Sequence, residues 1–385
     1  MWYKLSKVSL AIAAIGLGFG VCQSANAHYR KSIVPVTVPQ HDTGFHFGIT
    51  GFYVRPTNHE LYYSIEGLTD QTDFFVPFSR VFHAVVPDHS FNWRLDGGIF
   101  LGDSGNDFSA NWTHVSSSDD DRVDAQTDVP LFNRFIVGEW DFVKGDAEFD
   151  FDEVNIEVGQ LVNYCNLSTR FFFGFSGVWI NEEFRTRSER EYNGEVEILH
   201  GNLEVTHAKV DSEFWGFGPR LGVDIIYSLG GPGSYFSLVG HASGALLGGK
   251  LQAREKDLRV VDSTVPMPVG AVMRVPHSHE NLENTLTLYD RTIDPDNQFT
   301  VVPAGTVRLG LRFALNPDPA GNGFAAEVGY QVTGYYHVLQ MAPDFTGQQE
   351  LVVDMEAITF QTEPVLTNPV SNFGFNGFYL TLSYS

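Results

Sequence analysis

The chain is short of sulfur and of positive charge. Its 385 residues include only two cysteines, Cys22 and Cys165. Lys and Arg together number 24 against 47 Asp and Glu, a formal net charge of −23. That balance argues against nucleic acid as a partner, because neutralising a phosphate backbone takes clustered Lys and Arg. Long hydrophobic runs are missing after Val21: no later stretch stays apolar over the roughly 20 residues that a membrane helix needs. Nucleophile motifs are missing too. Gly174-Phe175-Ser176-Gly177 and Gly240-His241-Ala242-Ser243-Gly244 fall short of the G-x-S-x-G elbow and sit in strand-like stretches, so no enzyme activity is expected. An outer-membrane protease or lipase would be the enzyme alternative, but no set of side chains marks its site. Metal-ligand spacing is equally absent. His277-Ser278-His279-Glu280 and the acids Asp119, Asp120, Asp121 and Asp124 read as solvated polar loops, and no metal or cofactor is expected.

A leader is present at the start. Met1 to Lys7 is short and basic, Val8 to Val21 is apolar, and Ala25-Asn26-Ala27 is a small-x-small cleavage site. Residues 1–27 are therefore expected to be a cleaved signal peptide, residues 28–44 a periplasmic segment, and residues 45–385 the folded unit. Cleavage removes Lys4 and Lys7 and no acid, which takes the charge from −23 to about −25. It also removes Cys22, leaving Cys165 as either a buried bystander or a thiol that pairs between chains; the bystander is the favoured reading.

The remainder is rich in Gly (38), Phe (32) and Tyr (15). Ten segments alternate apolar and polar residues with period two over about the ten residues of a tilted membrane strand. They are Phe45–Val54, Asn92–Leu101, Asp107–His114, Phe151–Asn163, Thr169–Ile180, Phe214–Tyr227, Tyr235–Leu247, Thr306–Ala314, Phe324–His337 and Asn372–Tyr384. Gly- and Pro-rich links such as Gly102–Asn106, Tyr164–Ser168, Ser228–Ser234 and Asn316–Gly323 alternate with long ones: Arg55–Phe91, Val115–Asp150, Asn181–Glu213, Gly248–Gly305 and Val338–Ser371. Alternating short and long connections distinguish an outer-membrane barrel, with brief periplasmic turns and extended external loops, from a soluble sandwich. The expected fold is all-β: a transmembrane, antiparallel, up-and-down β-barrel of about 10–12 strands. The upper count allows for Leu351–Phe360 as a further strand and for the Asn193-Gly194 turn within Arg190–Glu197 as a hairpin signal.

A basic side chain on the lipid face near mid-membrane costs about 2–4 kcal/mol. Arg94, Asp96, Glu153, Glu157, Arg220, Asp224, Arg308, Arg312 and Glu327 are therefore expected to face the lumen as pore-lining candidates. Opposed charges there would set ion preference, or else would pair into a ladder that plugs a narrow barrel. The net acidity points to a weak cation preference, against which Arg220, Arg308 and Arg312 would weigh at a constriction. Trp93, Trp112, Trp179, Trp215, Tyr227 and Tyr384 suit the aromatic girdles at the membrane interfaces.

Several segments resemble one family. Asn111-Trp112-Thr113-His114, Phe151-Asp152-Glu153-Val154, Gly216-Phe217-Gly218-Pro219-Arg220-Leu221-Gly222-Val223-Asp224, Ala245-Leu246-Leu247-Gly248-Gly249 and Asn372-Phe373-Gly374-Phe375-Asn376-Gly377-Phe378-Tyr379-Leu380 are similar to the Legionella-type major outer membrane protein family. The resemblance covers nearly the whole mature chain, and Gly-Pro-Arg-Leu-Gly is its most distinctive piece. It departs from a common barrel ending by closing on Ser385, one place after the aromatic Tyr384. The resemblance implies a pore-forming outer-membrane protein exposed on the cell surface, and it offers no enzyme site. Expected partners are outer-membrane lipid and lipopolysaccharide, the barrel-insertion machinery, and small hydrophilic solutes or ions. Homo-oligomerisation and host-surface contact are left open, as is the rival reading of a surface adhesin or structural barrel with a plugged lumen.

Overall fold

The computed structural model describes residues 37–38, 43–58, 61–68, 79–102, 104–126, 131–134, 140–191, 203–230, 234–262, 285–293, 298–315, 323–340, 349–354, 357–362 and 370–384. The proposed signal peptide, the Asn193-Gly194 turn and His277–Glu280 lie outside them. The strands, in chain order, begin with β1 (Gly44–Thr57), β2 (Tyr62–Leu68), β3 (Ser79–Ala84), β4 (Ser90–Leu101), β5 (Asn106–Asp124) and β6 (Leu131–Asn133). There follow β7 (Phe142–Tyr164), β8 (Leu167–Glu191), β9 (Leu203–Ser228), β10 (Phe236–Asp262) and β11 (Thr285–Ile293). The last are β12 (Gln298–Ala314), β13 (Phe324–Gln340), β14 (Gln349–Asp354), β15 (Ala357–Thr362) and β16 (Val370–Tyr384).

Ten of these close a ring in the order β1-β4-β5-β7-β8-β9-β10-β12-β13-β16, each strand antiparallel to the next, with β16 returning to β1. Closure leaves no unpaired edge at membrane depth, the condition for a sheet to sit in lipid. The count is ten. Leu351–Phe360 does not enter the ring but belongs to the separate β14–β15 hairpin.

Every long connection leaves the same end of the ring. Three of them are shorter than the alternation suggested, because the strands run on above the membrane. β5 continues to Asp124 and β7 starts at Phe142; β8 and β9 stay paired as far as Glu191 and Leu203; β10 reaches Asp262, where β11 adds to it. The membrane pattern stops at Trp179 because the outward face changes chemistry there. Phe171, Phe173, Phe175 and Trp179 are exposed and apolar, whereas the next outward residues of β8 are Asn181, Glu183, Arg185 and Arg187. On the inward face Ile180 and Phe184 are buried on either side of Glu182 and join Phe149 and Val210 in a core of the extension. Asp119, Asp120, Asp121 and Asp124 thus belong to a strand, not to a loop: Asp120 pairs with Lys144, Asp121 accepts from the Tyr63 hydroxyl, and Asp124 pairs with Arg122.

The boundary of the lipid face is drawn by aromatics. Trp93, His114, Asp152, Trp179 and Trp215 are successive register partners across β4, β5, β7, β8 and β9, and Trp112 lies one pleat below and donates to Asp152 at 2.8 Å. At the short-turn end Tyr384 contacts Phe47 and Phe324, and Tyr227 closes β9 beside its turn. Cys165 forms that end's tightest turn with Asn166, at a φ of 52°, and its thiol is exposed. The expectation of a buried bystander is corrected. A two-residue hairpin linking twisted strands needs positive φ and leaves no room for a side chain inside.

Gly218-Pro219 has a local reason. Pro219 has no N–H to give the ladder, and the β9–β10 pairing skips from Phe217↔Gly248 to Arg220↔Ala245. The Leu246 carbonyl leans in so closely that a Cβ on Gly218 would lie 1.8 Å from its oxygen. Gly218→Ala is expected to displace β10 and cost about 1–3 kcal/mol, read as earlier unfolding in a heat-modifiability gel. An unchanged midpoint would mean that the strand moves aside freely.

Candidate functional site in the barrel lumen

Strand parity selects the side chains that enter the lumen. All nine charges named from the sequence occupy inward positions: Arg94 and Asp96 on β4, Glu153 and Glu157 on β7, Arg220 and Asp224 on β9, Arg308 and Arg312 on β12, and Glu327 on β13. The structure adds Asp107, Arg170 and His241. Arg170 was masked in the sequence by its aromatic strand, in which Phe172 points inward between the outward Phe171 and Phe173.

Two guanidinium groups organise the β5–β9 wall. Arg170 grips Asp107 with two bonds of 2.6 and 2.8 Å, and also reaches Asp224 at 2.9 Å and Glu157 at 3.3 Å. Arg220, 4 % exposed, bonds Glu153 at 2.9 Å and lies 3.2 Å from Glu157. Asn155 accepts from Arg220 at 3.3 Å and donates to Asn111 at 2.9 Å. Such planar, multiply bonded pairs suit arginine better than lysine. Arg94 bonds Asp96 at 2.7 Å.

Asp224 continues to His241 Nδ1 at 2.6 Å, and His241 Nε2 to Ser243 Oγ at 3.1 Å. The order resembles an acyl-transfer triad, but Ser243 sits mid-strand between Gly222 and Thr306, so its backbone serves the ladder. An oxyanion hole needs free donors converging on the reacting atom. The chain of bonds ties β9 to β10 instead.

Access changes along the axis. His46, Asp96, Ser109, Arg170, Asp224, Arg308, Arg312 and Glu327, toward the short turns, are half-buried among the buried Asp107, Ser237 and His241, whereas Thr50, Asn155, Arg220 and Thr333 above them are all buried. Higher still the lumen is crossed. β7 and β13 stand opposite each other in the ring, with four strands between them either way. Yet the Phe151 and Tyr335 rings are 5.3 Å apart, and Phe151 lies 5.7 Å from Phe373 and 5.3 Å from Phe375. Tilted and offset contacts at these spacings are the favoured aromatic geometries.

Above the aromatics, β2, β3 and β6 form a small sheet against the inner face of the strand extension. Asn133 donates to Thr186 at 3.2 Å and to Ser188 at 2.6 Å. Tyr63 packs into the notch at Gly145, where any Cβ would meet its ring. Asn58 donates to both oxygens of Glu182, at 3.0 and 2.9 Å. Burial pushes the Glu182 carboxyl up to about 8, outweighing Asn58 and the positive charge of Arg134. The folded state keeps a proton that the unfolded state releases near pH 4.5. Stability contributed by this group is therefore complete below that pH and falls as pH rises to about 8. Glu182→Gln should flatten this decline in urea unfolding measured from pH 5 to 9; an equally steep decline would assign the effect elsewhere.

Solved structures with a likeness to the chain include the outer membrane protease OmpT from Escherichia coli, at 10% identity and a TM-score of 0.35, covering 92% of this chain and 99% of that one. Another is the toluene transporter TodX of P. putida, at 7% identity and a TM-score of 0.20, covering 89% of each chain. No curated protein matches the sequence. The family model described as Legionella pneumophila major outer membrane protein precursor matches residues 37–385. With that match spanning the entire ring of strands, the chain belongs to this family and is a bacterial outer-membrane β-barrel.

Proposed function

We propose that the protein is a porin-type barrel that passes small hydrophilic solutes or ions by diffusion, with the aromatic layer as its constriction. The observation that carries this reading is the charged, polar wall lining the lumen at membrane depth, half-buried toward the periplasm. A wall of this kind can replace the hydration of a small polar solute, and opposed charges tune which solute passes. Much of the chain's acidity lies elsewhere: Asp120, Asp146, Glu148, Asp150, Glu183, Asp211 and Glu213 are on the outward face of the extracellular strands. Screening over about 8 Å at physiological salt separates them from the lumen. A cation preference based on net charge therefore has little weight at the constriction.

The refolded full chain in planar bilayers is expected to give small, discrete conductance steps. Silence from both this protein and a variant with the aromatic layer removed would end the pore reading. The rival is a closed surface barrel or adhesin, favoured by the Phe151–Tyr335 contact across the lumen. It predicts that silence, together with binding of protein-bearing vesicles to host cells or matrix.

A further inference from the structure

The lumenal arginines are not equivalent. Arg94, Arg170 and Arg220 each have a carboxylate oxygen within 2.9 Å. Arg308 and Arg312, two inward positions apart on β12, have no hydrogen bond or ion pair to any described residue, and the Arg308 guanidinium lies 5.9 Å from the centroid of the Tyr379 ring. The register neighbours of Arg308 are His241 and Gln331, and its Nε is buried without an acceptor. Arg312 lies between Ser237 and Glu327. Two carboxylates face the pair, and both are committed elsewhere: Asp224 to Arg170 and His241, Glu327 to the Tyr379 hydroxyl at 2.6 Å.

The Tyr379 phenol lies between the two arginine positions, beside the Arg308 guanidinium. Gly310 lies between them in the strand, and Gly329 is its register partner. A Cβ on either glycine would come within 2.7 Å of the Tyr379 hydroxyl, so that phenol rests over the pair of glycines. Along the strand the arginine Cα atoms are about 13 Å apart at 3.3 Å per residue, so both side chains can reach one small group held on the lumen side of the Tyr379 hydroxyl. An unpaired cation in a half-buried wall is costly, and a bound anion offsets that cost.

We propose that Arg308 and Arg312 form a subsite for a small oxyanion, a phosphate or carboxylate group, in the periplasmic half of the lumen. The subsite deepens the porin reading and rests on it for the solute's passage across the membrane, but binding from the periplasmic side needs no open pore. Planar, forked donors recognise both oxyanion classes, and Arg308 and Arg312 supply them without a hydrogen-bonded or ion-paired partner among the described residues.

The test measures equilibrium binding of radiolabelled inorganic phosphate, and separately of acetate, to the refolded full chain in detergent. Saturable binding of one anion per barrel is expected. R308Q/R312Q should weaken it at least tenfold, and R308K/R312K should weaken it less. Arg185→Gln, on the outer face of β8, should leave it unchanged. Heat-modifiable gel mobility shows that each variant is folded; if R308Q/R312Q does not fold, the single variants and the lysine pair carry the test. Stronger binding of phosphate or of acetate identifies the oxyanion class. Absence of binding to the wild type, or binding indifferent to these substitutions, overturns the subsite even where bilayers show channels. Binding lost in R308Q/R312Q from a barrel that never conducts keeps the subsite and removes the pore.

Discussion

Phe151→Ala with Phe373→Ala is expected to raise the unitary conductance several-fold over that of the wild type. These rings bridge β7 to the far wall, 5.7 Å apart, and both are buried, at 0 % and 1 % exposure. Removing them deletes the layer that joins opposite sides while leaving the strand register alone. Each truncation of a buried Phe costs about 3–5 kcal/mol in a packed core, so the variant should unfold earlier. It should still assemble, because the ring is held by backbone bonds along ten paired strands. Single-channel recording of folded material decides the outcome. Conductance equal to the wild type would place the constriction elsewhere, with the β2–β3–β6 sheet as the next candidate.

Arg220→Ala is expected to be the most damaging single substitution of a lumenal charge, costing about 3–5 kcal/mol. Glu153 and Glu157, 7 % and 4 % exposed, would lose the guanidinium that lies 2.9 and 3.2 Å from them. Glu157 would retain Arg170 at 3.3 Å, whereas Glu153 would keep, among the described residues, only neutral donors such as Ser176, also at 3.3 Å. Adding Glu153→Gln should therefore recover part of the loss. Urea unfolding in lipid vesicles measures both. A single-variant loss below about 1 kcal/mol, the range of exposed pairs, would show the network to be hydrated instead of desolvated.

The strands were legible because period two is a local property. Trp215, Phe217, Leu221, Val223 and Ile225 declare the lipid face of β9 whatever the rest of the chain does, and Arg220 and Asp224 declare its inner face. The same logic failed above the membrane, where charge replaces lipid-facing hydrophobicity and a strand such as 142–150 resembles a loop. Inward aromatics also blurred β8 and concealed Arg170. Cys165 was misread because its exposure depends on the geometry of a two-residue turn, not on the usual preference of its side chain.

By itself the sequence determined the fold class, ten segments that became ring strands within an expected count of about 10–12, their inner and outer faces, and which end carries the short turns. Alternation and turn chemistry act between near neighbours and need no knowledge of the whole. Only the tertiary structure decided that Phe151 meets Tyr335, that Arg170 gathers three acids, and that Arg308 and Arg312 make no hydrogen bond or ion pair among the described residues. The Phe151–Tyr335 and Arg170–Asp107 contacts join strands that are not sequence neighbours, and they depend on the diameter and stagger of a closed ring. Both are set only when β16 pairs with β1.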